Sequence, residues 1–118
     1  DDNSFDNVFC SFVWRNVSDT NKALHEVYRV LRPGGKFVLL DMTRPKNSFL
    51  RIIHKIGTFK VLHLIGLLTF NLKEYRFLYK SLDFYPQPEN HLKKDTFIDL
   101  QIERMGLFNF VYLAVFTK

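Results

Sequence analysis

The sequence is poor in the residues that build disulfides and metal centres. Cys10 is the only cysteine among the 118 residues, so no disulfide can form within the chain. Because Cys10 stands inside an apolar run, we expect a small buried side chain rather than a nucleophile. The histidines are scattered without the spacing typical of metal ligands, and the sequence therefore predicts no metal site. The four histidines are His25, His54, His63 and His91.

The chain also lacks a strong charge imbalance and a hydrophobic run of membrane-spanning length. Lys and Arg number 17 against 12 Asp and Glu, which gives a formal net charge of +5. This mild basic excess is compatible with nucleic acid, an anionic membrane surface or neither. No nucleic-acid-binding motif accompanies it, so nucleic acid is the least favoured partner. The apolar run at residues 61–70 is shorter than the roughly 20 residues that a bilayer requires.

Apolar and aromatic residues are abundant, at 47% and 16% of the chain, and they predict a folded core rather than disorder. At 118 residues the chain is at most one domain, and it is short for an α/β fold. Residues 1–6 look like a turn that feeds a strand in mid-sheet. We therefore interpret the chain as the C-terminal part of a larger α/β domain.

Residues 7–43 carry the pattern of a strand, an amphipathic helix and a second strand. Residues 7–13 are almost continuously apolar, which is typical of a strand covered on both faces, as in a parallel sheet. Residues 18–20 offer helix-capping side chains, and residues 32–35 (Arg-Pro-Gly-Gly) are expected to end the helix in a turn. Residues 37–40 restart a buried strand. The apolar face of the helix is expected to comprise Ala23, Leu24, Val27, Val30 and Leu31.

This order of elements predicts a right-handed βαβ unit in a parallel sheet flanked by helices. Open α/β sheets bind ligands beyond the carboxyl ends of their strands. Residues 11–16 lie at the end of the first strand and residues 41–45 at the end of the second, and both segments interrupt the apolar pattern with polar side chains. The sequence therefore predicts an enzyme site at this edge, without naming its chemistry.

Residues 46–86 are predicted to form a helical region. Residues 47–70 contain two apolar runs with interspersed basic residues and are expected to form a pair of helices. Two interpretations stay open, namely core helices that cap the sheet or a basic amphipathic lid that lies in a membrane interface. Residues 72–85 predict a further amphipathic helix, followed by a linker at residues 86–90. The apolar stripe of that helix is expected to comprise Tyr75, Leu78, Tyr79, Leu82 and Tyr85.

Residues 93–118 are predicted to hold one helix and one strand. Asp95 or Thr96 is expected to cap the helix, which would end at Gly106. Residues 108–117 predict a strand that joins the sheet beyond the second strand. The helix is expected to bury Phe97, Ile98, Ile102 and Met105.

Several short motifs follow one another in an order that resembles a known family. They are residues 2–6 (DNSFD), 15–17 (RNV), 28–35 (YRVLRPGG), 40–45 (LDMTRP) and 75–78 (YRFL) with Ser81, Leu82 and Pro86. The third motif is similar to class I S-adenosylmethionine-dependent methyltransferases in general. The second and fourth narrow the resemblance to the ubiquinone/menaquinone biosynthesis C-methyltransferase family.

The resemblance runs from about Asp2 to Gly106 and is weakest over residues 46–70. It implies the C-terminal part of a Rossmann-like methyltransferase domain with a helical lid insertion, and S-adenosylmethionine as cofactor. The glycine loop and the ribose-binding acidic residue of such domains are expected upstream of Asp1, so the 118 residues alone are expected to be inactive. The family ends in two strands, of which we expect the last to be truncated or lost here.

By resemblance, Ser11 is a cofactor contact, while Arg15 and Asn16 are catalytic residues beside the methyl donor and the quinone ring. An Arg is too weak an acid to act as a base, so stabilisation of a phenolate is the physically easier role for Arg15. Without the resemblance, Ser11 would permit close packing, Asn16 would cap a turn and Arg15 would be solvated.

Asp41 is a candidate for orienting the substrate. The resemblance implies that the helix containing Tyr75 and Arg76 lines the substrate side, so these two are further substrate-binding candidates. A capping or turn role is an equal alternative for Asp41, and an aromatic stripe such as the one containing Tyr75 is more often core than pocket. Trp14 is expected to belong to the core rather than to stack on a substrate.

The resemblance implies methylation of a ring carbon of a prenylated quinol precursor in ubiquinone or menaquinone biosynthesis. The alternatives are another lipid or small-molecule acceptor, or a non-catalytic remnant or assembly partner. The expected partners are a lipid quinol, a membrane surface, and a second copy or a biosynthetic assembly. The expected location is the cytoplasm, with peripheral contact at the inner membrane, on the matrix side if the source is eukaryotic.

Overall fold

The structure, a computed structural model, describes residues 1–93 and 95–118. Within these residues, four strands form one sheet: β1 (Phe5–Ser11), β2 (Leu31–Met42), β3 (Asp99–Met105) and β4 (Val111–Thr117). The helices are α1 (Thr20–Val30), α2 (Ser48–Leu68), α3 (Leu72–Phe84) and the short α4 (Pro88–His91). Two 3-10 turns span Trp14–Asn16 and Leu107–Asn109.

The strand order is β1-β2-β4-β3, with β1 and β2 parallel and the other two pairs antiparallel. The α/β class and the predicted βαβ unit are therefore confirmed, and so is the place of the last strand beside the second. α1 begins where predicted, because the Asp19 side chain accepts a hydrogen bond from the Lys22 backbone N–H at 2.9 Å. Its apolar face, with Leu24 and Val27, packs against the sheet core.

β1 departs from the prediction in its end and in its cover. It ends at Ser11 rather than at residue 13, since Phe12 leaves the strand with a left-handed φ of 57°. Val8 and Cys10 pack against the core, whereas Phe9 is 74% exposed. The expected cover on both faces is therefore wrong for the described residues, in which β1 is an edge strand. A continuous apolar run does not by itself distinguish the two cases.

The Arg-Pro-Gly-Gly sequence lies inside β2 and does not form the predicted separate turn. α1 ends at Val30, and β2 begins directly at Leu31. The register between β1 and β2 shifts across this stretch, so the two glycines accommodate an irregular strand rather than a connection between elements. Gly34 has a φ of 79°, and its N–H donates to the carbonyl of Lys118 at 2.7 Å.

Residues 47–70 contain one continuous helix instead of the predicted pair. Asn47 caps α2 by accepting hydrogen bonds from the backbone N–H groups of Phe49 and Leu50. α2 and α3 approach closely at Gly66, where a Cβ would lie 3.1 Å from the Cα of Leu72. We call residues 47–85 the helical hairpin. Among the described residues, His54 and Gly66 are the buried residues of α2, so the expected burial of this segment in the core is wrong.

α3 matches its prediction, and the expected apolar stripe is the face that packs. Leu82 is buried, and the other four stripe residues are half-buried. Among the described residues, no helix combines the length and the apolar character that crossing a bilayer requires.

The predicted C-terminal helix is wrong, because residues 99–105 form β3. Leu100 and Ile102 alternate with exposed neighbours and contact the core, and β4 supplies the hydrogen-bonding partners. Ile98 is exposed rather than buried, and Met105 is also exposed, while Phe97 is buried as predicted, although in the loop before β3. Both terminal strands are present and are joined through Gly106, so the expected loss of the last strand is also wrong.

The core lies on one face of the sheet. It is built from alternate residues of β2 and β4, including Phe37, Leu39 and Phe116. Trp14 is buried there with its ring 5.5 Å from that of Phe37, which confirms its predicted place in the core. The same alternation along β2 continues to Asp41, and it therefore carries a carboxylate to the carboxyl edge of the core.

Candidate functional site

The carboxyl ends of β1 and β2 bring Arg15 and Asp41 together. Arg15 lies in the 3-10 turn after β1, and Asp41 is the penultimate residue of β2. The backbone N–H of Arg15 donates to Asp41 Oδ2 at 3.0 Å, and its Nη1 forms an ion pair with Asp41 Oδ1. The side chains of Arg15 and Asp41 are 6% and 0% exposed. The predicted edge therefore holds a buried ion pair.

The Asp41 carboxylate is bound by its surroundings on both oxygens. Besides Arg15, the backbone N–H of Met42 donates to Oδ1 at 2.7 Å. These contacts fix the turn after β1 relative to β2, because a buried carboxylate is tolerated only when it is paired and hydrogen-bonded. With no exposed surface, Asp41 acts on Arg15 in this structure, and its predicted contact with substrate stays a prediction.

The neighbouring acids are held in their neutral forms. Burial raises the pKa of the Cys10 thiol, and the Asp41 charge adds to the effect. Burial likewise raises the pKa of Tyr85 to about 12, and it raises the pKa of Tyr112, whose hydroxyl donates to that of Tyr85 at 3.3 Å. Cys10 is thus not an activated thiolate, as expected from the sequence.

Arg15 also joins the sheet edge to the helical hairpin. Its Nε donates to the Ser81 hydroxyl at 3.2 Å, and its Nη1 donates to the carbonyl of Phe12 at 2.9 Å. Among the described residues, Nη2 has no acceptor, so this nitrogen is available to an added ligand. Ser81 was not predicted as a site residue, although Ser81 and Leu82 belong to the segment beginning with YRFL that resembles the family.

Ser11 and Asn16 lie beside the Arg15–Asp41 pair, and both residues are exposed. Ser11 ends β1 opposite Leu40, and the Asn16 backbone N–H donates to the carbonyl of Val13 at 2.8 Å. In the part of the chain that is described, neither side chain hydrogen-bonds to another residue. Both present polar groups at the carboxyl edge of the sheet, where a polar ligand can reach them.

Tyr75 and Arg76 lie apart from the Arg15–Asp41 pair. They line a cleft of about 150 Å³ between α2 and α3, together with Phe59, Leu62 and Tyr79 among others. Neither Arg15 nor Asp41 lines this cleft. The structure therefore separates the six predicted site residues: four lie at the sheet edge, and Tyr75 and Arg76 lie in the cleft of the hairpin.

A second buried arginine, Arg44, was missed from the sequence. It follows β2, and its Nε donates to Asp83 at 2.9 Å while its Nη1 donates to Thr58 at 2.8 Å. Its guanidinium also lies 5.0 Å from the ring centroid of Tyr79. Arg44 thus fastens both helices of the hairpin to the end of the sheet. Its sequence signal, a place inside the LDMTRP motif, did not reveal these distant partners.

His54 completes this group of contacts from α2. Its Nδ1 accepts from Arg44 Nη1 at 3.3 Å, and its ring packs 4.9 Å from that of Phe110. Burial lowers the pKa of His54, and the positive charge of Arg44 lowers it further. The imidazole is therefore neutral at pH 7, which allows it to accept the hydrogen bond.

Comparison with known proteins decides the family. The model of the ubiE/COQ5 methyltransferase family matches residues 1–112. The chain belongs to the ubiE/COQ5 methyltransferase family. The RNV and LDMTRP motifs of this family member therefore supply its buried ion pair, Arg15 from the first and Asp41 from the second.

Two relatives illustrate the match. The ubiquinone/menaquinone biosynthesis C-methyltransferase UbiE of Rickettsia bellii is 44% identical over 89 residues, covering 75% of this chain and 36% of that protein. UbiE of Pasteurella multocida is 37% identical over 109 residues, covering 92% of this chain and 40% of that protein. The chain thus spans about two-fifths of the length of these relatives.

The structure also aligns with that of a SAM-dependent methyltransferase from Aquifex aeolicus, and the alignment covers 98% of this chain and 47% of the other. Its sequence identity is 14% and the TM-score is 0.46.

Proposed function

We propose that this chain is part of an S-adenosylmethionine-dependent methyltransferase that methylates a ring carbon of a prenylated quinol precursor of ubiquinone or menaquinone. Family membership supports the reaction class, and the names of the UbiE relatives support the acceptor. The observation that carries the proposal is the buried Arg15–Asp41 pair, which leaves one guanidinium nitrogen available at the carboxyl edge of the sheet.

Arg15 is the residue that we place on the substrate oxygen. Its guanidinium stays charged at all relevant pH values, so it does not accept a proton. Nη2 instead donates a charge-assisted hydrogen bond to a phenolate, whose negative charge makes the adjacent ring carbon nucleophilic. Asp41 holds the plane of this guanidinium through Nη1, and Ser81 holds it through Nε. Because both contacts exist before substrate binds, little reorganisation accompanies the reaction.

Ser11 and Asn16 are the residues of this chain that fit the methyl donor. Their exposed polar groups lie at the carboxyl edge of the sheet, next to the arginine. When bound, the donor supplies an electrophilic methyl group on a sulfonium. Ser11 and Asn16 would contact its polar parts and orient it toward the ring carbon activated by Arg15, since alignment of two bound reactants supplies much of the barrier reduction.

The helical hairpin is the part that we assign to the apolar portion of the substrate. Tyr75 and Arg76 line a cleft whose other walls are mainly aromatic and aliphatic, which suits a prenyl chain or a ring face. A lipid substrate resides in a bilayer, so we also propose that the protein associates peripherally with the membrane that holds its substrate.

The test is methyl transfer by the intact protein that contains this chain, using methyl-labelled S-adenosylmethionine. A prenylated quinol precursor, a sterol and a phospholipid amine would be offered as acceptors. We expect label in the ring of the quinol, and an Arg15→Lys variant that loses most of kcat. Label in the sterol or the amine alone would refute the acceptor, and full activity of Arg15→Lys would refute the role of the guanidinium.

A further inference from the structure

The outward face of α2 carries a largely apolar stripe. Phe49, Ile53, Ile56, Leu64 and Leu67 recur at helical spacing on the side opposite the buried His54 and Gly66, and all five are exposed. Twenty-one residues at 1.5 Å per residue make this stripe about 30 Å long. An ordinary surface helix exposes polar residues on this side, so an apolar stripe of this length, interrupted by Lys60, indicates an interaction surface.

The turn between α2 and α3 extends this apolar surface. Phe70 lies in the turn, is 96% exposed and has a left-handed φ of 55°. A bulky non-glycine residue in this region of backbone space is strained, and among the described residues Phe70 gains little packing to offset the strain. Leu68, at the end of α2, is exposed beside it. The tip of the hairpin therefore presents large apolar side chains to its surroundings.

The charges of the hairpin favour one kind of partner. Residues 47–85 contain six Lys and Arg against two acidic residues, and they thus carry most of the chain's net charge of +5. α2 has no acidic residue, and Asp83 on α3 is already paired with Arg44 and Lys55. The outward side of α3 combines Lys73, Arg76 and Lys80 with two exposed phenylalanines, Phe77 and Phe84.

Lys60 favours a bilayer over a purely apolar protein surface. It stands in the middle of the apolar stripe of α2 and is exposed. Against an apolar protein surface its ammonium would be buried without an acceptor, which is costly. At a bilayer surface its long stem can lie along the acyl chains while the ammonium reaches the phosphates. We propose that the outward face of the helical hairpin is a docking surface for a bilayer containing anionic phospholipids.

In this arrangement the α2 stripe and Phe70 lie at the boundary between headgroups and acyl chains, and the cations of α3 contact the headgroups. The surface gives residues to the peripheral association proposed above. It does not depend on methyl transfer, because vesicle binding is measured without donor or acceptor. A protein that binds vesicles but does not methylate quinols would refute the proposed function and leave this surface intact.

The experiment is co-sedimentation of the intact protein with vesicles of phosphatidylcholine alone and of phosphatidylcholine with 30% phosphatidylglycerol. The Ile56→Glu/Leu64→Glu variant is expected to bind the anionic vesicles at least roughly a hundredfold more weakly than the unaltered protein. Its matched control, Ile98→Glu/Leu107→Glu, places the same changes at exposed apolar positions outside the hairpin and is expected to bind normally. Circular dichroism verifies that both variants are folded.

The charge contribution is tested separately. Lys73→Gln/Lys80→Gln is expected to weaken binding to the anionic vesicles roughly thirtyfold, at about 1 kcal/mol per lysine. Lys22→Gln/Lys36→Gln removes the same charge from exposed positions outside the hairpin and is expected to have little effect. Equal binding to both vesicle types would refute the anionic preference.

A reporter and a solution measurement complete the test. Phe70→Trp is expected to shift its emission to shorter wavelength with anionic vesicles, whereas the buried Trp14 does not respond. If the unaltered protein does not bind vesicles but forms a dimer, and Ile56→Glu/Leu64→Glu converts that dimer to monomers, the proposal is overturned, because a second copy of the chain then covers this face. Unfolding of that variant without vesicle binding by the unaltered protein would overturn it in favour of cover within the intact protein.

Discussion

Replacement of Asp41 by alanine is predicted to destabilise the protein far more than loss of an exposed carboxylate. Asp41 has no exposed surface and faces an arginine side chain that is 6% exposed. Its removal leaves the guanidinium of Arg15 buried without its counter-charge, which typically costs about 3–5 kcal/mol. It also leaves the backbone N–H groups of Arg15 and Met42 without their acceptor. We therefore expect a loss near the upper end of this range.

The assay is equilibrium urea unfolding followed by circular dichroism, with Asp6→Ala as the matched control. Asp6 pairs with Arg32 at 2.8 Å, but both side chains are mostly exposed, so its loss is expected to cost about 0–1 kcal/mol. The double variant Arg15→Met/Asp41→Leu removes both charges and is expected to be more stable than Asp41→Ala. If Asp41→Ala costs no more than Asp6→Ala, the buried pair does not organise this edge of the sheet.

Three further predictions concern pH and the backbone. Arg104 lowers the pKa of Glu89 from 4.5 to about 2, so this contact stabilises the protein above pH 4.5 and is lost as the pH falls toward 2. In Glu89→Gln, the free energy of unfolding should therefore depend less on pH between 4.5 and 2. Because the pKa of His54 is lowered in the folded protein, the unfolded chain binds a proton more readily, and stability should fall as the pH drops below about 6.5. His54→Gln should reduce that fall. If the variant and the unaltered protein show the same dependence of stability on pH, His54 is not a buried neutral imidazole. Gly35→Ala would bring a methyl group 2.9 Å from the carbonyl oxygens of Arg32 and Asp6, and thermal unfolding should show that the protein loses about 1–3 kcal/mol of stability. The control is Gly57→Ala, which should not destabilise the protein, because nothing lies within 4 Å of the added methyl group.

The first half of the fold could be predicted because its signals are local. The apolar run before Ser11, the Asp19 cap and the apolar helix face each act within a few residues, and they predicted the strand, the helix and the parallel return strand. The cover of β1 was not predictable in this way, because it depends on what packs from elsewhere. Strand periodicity records which side chains are apolar and not which neighbour meets them.

β3 shows how a local pattern can favour the wrong element. Ile98, Ile102 and Met105 recur at helical spacing, yet Leu100 and Ile102 also fit the alternation of a strand. The hydrogen-bonding partners offered by β4, which returns antiparallel after residues 106–110, favour the strand, and the apolar spacing within residues 98–105 does not record them. The candidate site has the same limitation. The sequence placed Arg15 and Asp41 at one edge of the sheet, but their direct pairing across 26 residues depends on how the turn at Trp14–Asn16 folds over the end of β2.

α3 contacts the proposed catalytic site and also belongs to the proposed membrane-docking surface. Ser81 binds the guanidinium of Arg15, and Asp83, two residues later, binds that of Arg44. The same helix presents Lys73 and Lys80 on its outward side. A displacement of α3 relative to the sheet must therefore lengthen or reorient the Ser81 contact that holds the proposed catalytic arginine. Docking of the hairpin on a bilayer and orientation of this guanidinium consequently share one rigid element, and a variant that loosens α3 from Arg44 should impair both.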